Sequence, residues 1–335
     1  MRKSGTSYRA LVAERVNGGF RQRVQELNRE DLPVHDLLVQ VHYSSLNYKD
    51  ALSATGNPGV TRSYPHTPGI DAAGVVAESR DDRFQEGDKV IVTSYDLGQN
   101  TPGGFGEYIS VPGEWVVPLP AGLTLEESMI LGTAGFTAAY AVEKITRAGI
   151  PPAQGRVVVS GASGGVGSLS VAILSGLGYD VLAVTGKEEA HEWLRSAGAS
   201  EIIGRQEVTA VSGKPLLHAR WAAGVDTVGG PMLDAILRQT DHNGAVACCG
   251  NVLGGELETN IYPFILRGVG LMGVDSGICL MPDRKRIWNA LAGEWKPDLQ
   301  KLPVKSVEID QLPAEIEHIK NGKQQGRVLV KHRVG

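Results

Sequence analysis

Two short stretches of this sequence hold residue types and spacings that could do chemistry. The first is Ser44-Ser-Leu-Asn-Tyr-Lys-Asp50, which crowds Asn47, Tyr48 and Asp50 at the junction of an alternating apolar segment and a short helical one. An amide and a phenol can donate to a developing negative charge, and a carboxylate can orient them. The same three residues read equally as a helix N-cap followed by a buried tyrosine.

The second stretch is Val157-Val-Val-Ser-Gly-Ala-Ser-Gly-Gly-Val-Gly167, followed by the amphipathic Ser168–Leu177. It fits the G-x-G-x-x-G spacing as Ala162-x-Gly164-x-x-Gly167, with further glycines at 161 and 165. Such a run between a strand and a helix gives a tight turn, bare backbone near a pyrophosphate and close helix–strand packing. The helix N-terminus adds free N–H groups and positive dipole for phosphates. The next strand ends in Thr185-Gly186-Lys187, where an NAD site usually carries an acid for the ribose 2′-hydroxyl. A hydroxyl, an open backbone and an ammonium suit a 2′-phosphate instead, and Arg205 adds a second cation, so NADPH is the expected cofactor. Lys187 is also a position where a solvated helix-start lysine is ordinary.

Other chemistries find no support. The eight histidines show no HxH or HxxxH spacing, the three cysteines Cys248, Cys249 and Cys279 form no CxxC, and no metal site is expected. There is no G-x-S-x-G elbow for a serine hydrolase. Thirty-three basic against thirty-seven acidic residues give a net charge of −4, which offers no general field for nucleic acid. The start of the chain lacks the apolar stretch of a signal peptide, and the uncharged run from Val157 to Tyr179 is broken by glycine and serine, so neither export nor membrane insertion is expected. A cytoplasmic protein acting on a small molecule follows.

The elements that must hold these stretches divide at about Leu123. Before it, short alternating segments punctuated by Gly and Pro predict a β-rich unit: Tyr8–Val16, Phe20–Leu27, Leu37–Ser45, Ala72–Ala77 and Lys89–Thr93, with one helix over Leu46–Ala54. After it come two helices, Leu125–Leu131 and Gly135–Lys144, and then regular strand–helix alternation from Gly155 to Val274. The tail carries helices at Arg284–Ala292 and Leu312–Asn321 and a strand at Arg327–Lys331. The fold class is therefore α/β, with 43 glycines serving turns and close contacts rather than a repeat.

Taken together, SSLNYKDAL, PGIDAAG, EGDKV, GGFGEY, LGTAGFTA, VSGASGGVGS, DTVGG, PFILRGVGLMGVDS and QGRVLVK resemble the medium-chain dehydrogenase/reductase superfamily across essentially the whole chain. Within it they resemble the zinc-free quinone oxidoreductase branch, and most of all its acryloyl-CoA reductase (NADPH) family. The resemblance implies a GroES-like β-barrel-type catalytic domain at 1–124, with a C-terminal return at 275–335, and a Rossmann doubly wound parallel-sheet domain at 125–274. It places Tyr48 against the cofactor, Ser163, Gly164, Gly165 and Val166 on its phosphates, and Asn251, Ile265, Ser276 and Asn321 along the nicotinamide side. It implies reduction of the activated double bond of a short enoyl-CoA, with quinone reduction as the alternative and a non-catalytic NADPH-binding protein as a further one. Asn47, Tyr48 and Asp50 are the catalytic candidates, with water an open choice for the proton donor. Arg62, Arg284, Lys285 and Arg286 are candidates for holding CoA phosphates, and a homodimer through the Rossmann sheet edge is typical of the family.

Overall fold

Alternating apolar and polar side chains start the chain as an antiparallel pair, β1 (Ser7–Val16) and β2 (Gly19–Asn28), of which β1 is the buried member. The computed structural model describes residues 7–210 and 213–333. β3 (Leu37–Leu46) follows, then α1 (Tyr48–Ala54), β4 (Asp71–Ser79), β5 (Lys89–Thr93), β6 (Tyr108–Val111) and β7 (Val116–Pro118). α2 (Leu125–Arg147) is two helices joined at Gly132, whose φ of 53° breaks the helical path. The alternation then runs β8 (Val157–Ser160), α3 (Gly165–Gly176), β9 (Val181–Val184), α4 (His191–Ser196), β10 (Glu201–Ile203) and α5 (Arg205–Thr209). It continues with β11 (Trp221–Asp226), α6 (Gly230–Gln239), β12 (Thr240–Cys248), α7 (Tyr262–Arg267) and β13 (Gly270–Gly273). α8 (Met281–Ala292), β14 (Val304–Glu308), α9 (Leu312–Lys320) and β15 (Arg327–Lys331) complete the chain.

The chain forms two compact units. One comprises residues 1–133, 277–292 and 304–335, the other 134–276 and 293–303. The passage from one to the other therefore falls just after the break at Gly132, not at residue 124. The reason is local: the first half of α2 stays with the β-rich unit, because Thr133 is bonded to Asp71 of β4.

In the first unit a seven-stranded sheet runs β14-β15-β3-β4-β5-β7, with β6 also on β3. One edge of β3 is shared: Leu37–Gln40 pair with β6, while Tyr43–Leu46 pair with Lys331–Val328 of β15. That second pairing brings the start of β15 beside the end of β3. The strand β14 escapes detection in the sequence, since VKSVE is short and carries charges at Lys305 and Glu308, and only its parallel pairing with β15 makes it a strand. Leu37, Val39, Val41, Val76, Val90 and Ile109 are buried in one cluster of this unit.

In the second unit a parallel sheet has the order β10-β9-β8-β11-β12-β13. This is the doubly wound arrangement, reversing direction between β8 and β11. VVVS of β8 and VLAV of β9 are fully buried, as continuous apolar strands covered on both faces must be. β11 begins at Trp221, whose buried indole donates to Ile236 O at 3.1 Å and so holds α6 on the sheet.

Candidate functional site

In the second unit the glycine-rich turn leaves β8 at the reversal point, where doubly wound sheets bind ligands. Gly161 has φ 59°, and a Cβ there would strike the Thr227 hydroxyl. Gly167 sits on the Gly161 carbonyl and Ala162, with no space for a side chain. Gly164 caps α3 and donates to Gly161 O at 2.9 Å, so residues 163–166 meet the helix N-terminus without covering it.

Beneath this turn lies a residue that the sequence reading passed over. Ser160 Oγ donates to Asp226 Oδ1 at 2.6 Å, and Gly229 N–H donates to Asp226 Oδ2 at 2.7 Å. Thr227 N–H in turn donates to Ser160 Oγ at 2.9 Å. Asp226 thus ties the ends of β8 and β11 together, and its own burial raises its pKa. The available signal was an acid closing a buried strand just before the glycine pair of DTVGG.

The cationic half of the expected site is assembled from neighbouring strands. β9 and β10 are parallel, with Val184 beside Ile203, so Thr185-Gly186-Lys187 and Arg205 leave the sheet side by side. Thr185 Oγ1 donates to Ser163 Oγ at 3.0 Å and accepts from Lys187 N–H at 3.1 Å. Arg205 lies across Gly186, where a Cβ would come 3.3 Å from its Nε. Partial burial lowers the Lys187 pKa, Glu189 raises it and Arg205 lowers it further. Two cations, one hydroxyl and an open glycine fit a phosphate monoester on a ribose, and the bare turn at 161–167 fits a pyrophosphate.

The remaining expected cofactor residues are more scattered. Asn251 is exposed in the turn after β12, and Ile265 is an exposed apolar residue of α7. Ser276 accepts from Thr137 Oγ1 at 2.8 Å. Asn321 belongs to the first unit, at the C-terminal end of α9, with its Nδ2 donating to Glu317 O and Oε1, each at 2.8 Å.

In the first unit the Asn47–Asp50 cluster takes a form that the sequence left undecided. Tyr48 is 42% exposed rather than buried, and its hydroxyl has no partner among the described residues. Asn47 and Asp50 are buried and committed to structure. Asn47 N–H donates to Asp50 Oδ2 at 2.8 Å and Ile70 N–H to Asp50 Oδ1 at 2.8 Å, so both oxygens of Asp50 hold the backbone. Burial, then the charge of Asp71, pushes the Asp50 pKa up to about 7, against the opposing effect of these bonds. Asn47 Nδ2 donates to Asp71 Oδ2 at 2.8 Å and its Oδ1 accepts from Arg327 Nη1 at 3.3 Å. Of the three catalytic candidates, only Tyr48 presents a free polar group.

Arg284 is a correction. It is fully buried, donates to Thr93 O and Oγ1 at 3.0 and 2.9 Å, and stacks 4.4 Å from the Tyr95 ring centroid. It anchors α8 and cannot meet a CoA phosphate. Arg286 is paired with Asp283, while Arg62 and Lys285 are exposed. Among the described residues no three His, Cys, Asp or Glu side chains gather as a metal site.

These features define a two-unit dehydrogenase/reductase with a dinucleotide turn. The alcohol dehydrogenase GroES-like domain matches residues 33–121, and the family described as zinc-binding dehydrogenase matches residues 165–290. Acrylyl-CoA reductase AcuI of Ruegeria pomeroyi is 41% identical over 96% of this chain and 98% of its own. The yhdH oxidoreductase of Salmonella enterica, solved in complex with NADP, is 43% identical, covering 97% of this chain and 100% of its own with a TM-score of 0.94. The Bacillus subtilis protein yhfP, solved with NAD bound, is 44% identical, covering 98% of this chain and 100% of its own, also with a TM-score of 0.94. Human quinone oxidoreductase is 30% identical over 72% of this chain and 71% of its own. The chain belongs to the medium-chain dehydrogenase/reductase superfamily, in the group that holds the quinone oxidoreductases and the acrylyl-CoA reductases.

Proposed function

We propose that this protein reduces the activated carbon–carbon double bond of a short enoyl-CoA with NADPH, converting acryloyl-CoA to propionyl-CoA. The observation that carries the cofactor is the pair of cations, Lys187 and Arg205, leaving adjacent strand ends beside the Thr185–Ser163 bond, with no acid at the end of β9. Ser163, Gly164, Gly165 and Val166 would hold the pyrophosphate, and Thr185, Gly186, Lys187 and Arg205 the 2′-phosphate. Asn251, Ile265, Ser276 and Asn321 would line the nicotinamide side. When bound, NADPH supplies a hydride, which the β-carbon of the enoyl thioester accepts.

Negative charge then develops on the thioester oxygen, and a donor aimed there stabilises the transition state more than the ground state. Tyr48 is suited to that part, being exposed with an uncommitted hydroxyl. Asn47 and Asp50 support it from beneath, and a proton from solvent or another donor completes the product at the α-carbon.

We also propose a cytoplasmic homodimer joined at the free edge of β13. Ile261, Tyr262 and Leu266 are exposed apolar residues on or next to α7, just before that edge strand. No helix among the described residues is long and apolar enough to cross a membrane. The net charge of −4 gives no attraction to nucleic acid.

NADPH oxidation against acryloyl-CoA, crotonyl-CoA and quinones tests the substrate. Turnover should be fastest with acryloyl-CoA. Faster turnover with a quinone would make the protein a quinone reductase of the same fold, and no turnover with any acceptor would leave a binding protein.

A further inference from the structure

Arg327 opens β15 as a fully buried arginine, and burial lowers its pKa while Asp71 and Asp50 raise it. Its Nε donates to Ile130 O at 2.8 Å and its Nη1 to Asn47 Oδ1 at 3.3 Å, while Nη2 has no partner among the described residues. On the other side of Asn47, Asp71 receives four donors. Ser45 Oγ at 2.5 Å, Asn47 Nδ2 at 2.8 Å and Thr133 N–H at 2.9 Å reach Oδ2, and Thr133 Oγ1 at 2.5 Å reaches Oδ1. Gly132 makes room for this group. A Cβ there would lie 2.5 Å from Asp71 Oδ2, 2.5 Å from Ser45 Oγ and 3.0 Å from Arg327 Nη2.

The Asn47 carboxamide therefore stands between a guanidinium and a carboxylate, and it has one workable orientation. Reversed, it would set its NH2 against the guanidinium and its oxygen against the carboxylate. Buried charges of this kind stabilise a fold poorly compared with apolar packing, because desolvation offsets much of their attraction. What they do supply is a single geometry.

We propose that Arg327 and Asp71, joined through the Asn47 side chain, are positioning residues for Tyr48. They hold residue 47 by its side chain while Asp50 holds it by its main chain, and Tyr48 is the next residue, the first of α1. Residue 47, from which the chain passes to Tyr48, is thus held through both its main chain and its side chain. This rests on the reading of Tyr48 as the donor to the thioester.

The test is steady-state kinetics of the whole chain with NADPH and acryloyl-CoA, with Asn47→Asp and Arg327→Lys each alone and combined with Tyr48→Phe. Asp and Asn are about equally good helix N-caps, so a residue that merely caps α1 would tolerate Asn47→Asp. A residue that bridges the ion cluster would not, because the new oxygen faces Asp71. We expect Asn47→Asp to lower kcat about tenfold or more with KM for acryloyl-CoA within about twofold. Adding Tyr48→Phe should cost little more, because residues acting through one group are not additive. Arg327→Lys, which replaces the fork of Nε and Nη1 with a single ammonium, should behave in the same way and serves if the first variant folds poorly. If Tyr48→Phe is slow but Asn47→Asp and Arg327→Lys retain full kcat, or if their losses multiply with that of Tyr48→Phe, positioning is overturned and the role of Tyr48 stands. If Tyr48→Phe itself keeps full kcat, both are overturned.

Discussion

Thr185 Oγ1 donates to Ser163 Oγ at 3.0 Å, joining the end of one strand to the glycine-rich turn that follows the strand beside it. The same oxygen accepts from Lys187 N–H, so one buried hydroxyl aligns the glycine-rich turn with the residue proposed to select the ribose. Cofactor selectivity should then show in the kinetics.

With NADPH, kcat/KM should exceed that with NADH by about tenfold or more, roughly 1.4 kcal/mol. Lys187→Ala should raise KM for NADPH far more than for NADH. Equal efficiencies with the two cofactors would sink the assignment, and the related structure solved with NAD makes the comparison a real one.

Tyr48→Phe deletes one hydroxyl and keeps the ring. A donor aimed at developing charge typically contributes ~10²–10³ in kcat, and a wall of the binding site contributes far less. A loss of about tenfold or more in kcat is expected on acryloyl-CoA. Thermal stability should hardly move, because the ring is 42% exposed and the hydroxyl bonds to none of the described residues.

Asp50 should leave a signature in stability against pH. Its folded pKa is raised from 3.8 to about 7, so the folded state binds the extra proton. Its contribution is fully present below the ordinary aspartate range and is lost as pH rises through about 7. The thermal midpoint of the natural protein minus that of Asp50→Asn should therefore shrink between about pH 4 and pH 7. His332, buried and lowered from 6.5 to about 4, acts with the opposite sign, losing its contribution as pH falls through that value. It is present in both proteins and cancels in the difference. A difference that is flat or grows with pH would contradict the assignment.

Leu266→Glu places a charge among the exposed apolar residues before β13. Light scattering coupled to size exclusion should give a dimer for the natural protein and a monomer for the variant. A monomeric natural protein would refute the proposed assembly.

Chelation should change neither folding nor turnover, since among the described residues no ligand group of three His, Cys, Asp or Glu exists. Activity lost to a chelator and restored by zinc would show that a metal takes part.

By itself the sequence determined whatever depends on neighbours along the chain. The limits of β5 and β15 follow from local alternation and turn residues. The glycine-rich turn follows from glycines between an apolar strand and an amphipathic helix, and the cations at 187 and 205 follow from the residues closing two successive strands. Tertiary structure alone decided which polar groups remain free. Nothing near Asn47 in the chain announces Arg327, 280 residues away, or the Asp71 carboxylate that receives its amide. The register of β15 against β3 brings them together, and the missing Cβ of Gly132 lets them close. That is why three polar residues side by side in sequence separate in the fold, Asn47 and Asp50 turned into the framework and Tyr48 left to solvent. Hydrogen bonding in a buried cluster is satisfied by whichever partners the fold supplies, and strand pairing supplies partners that spacing along the chain does not encode.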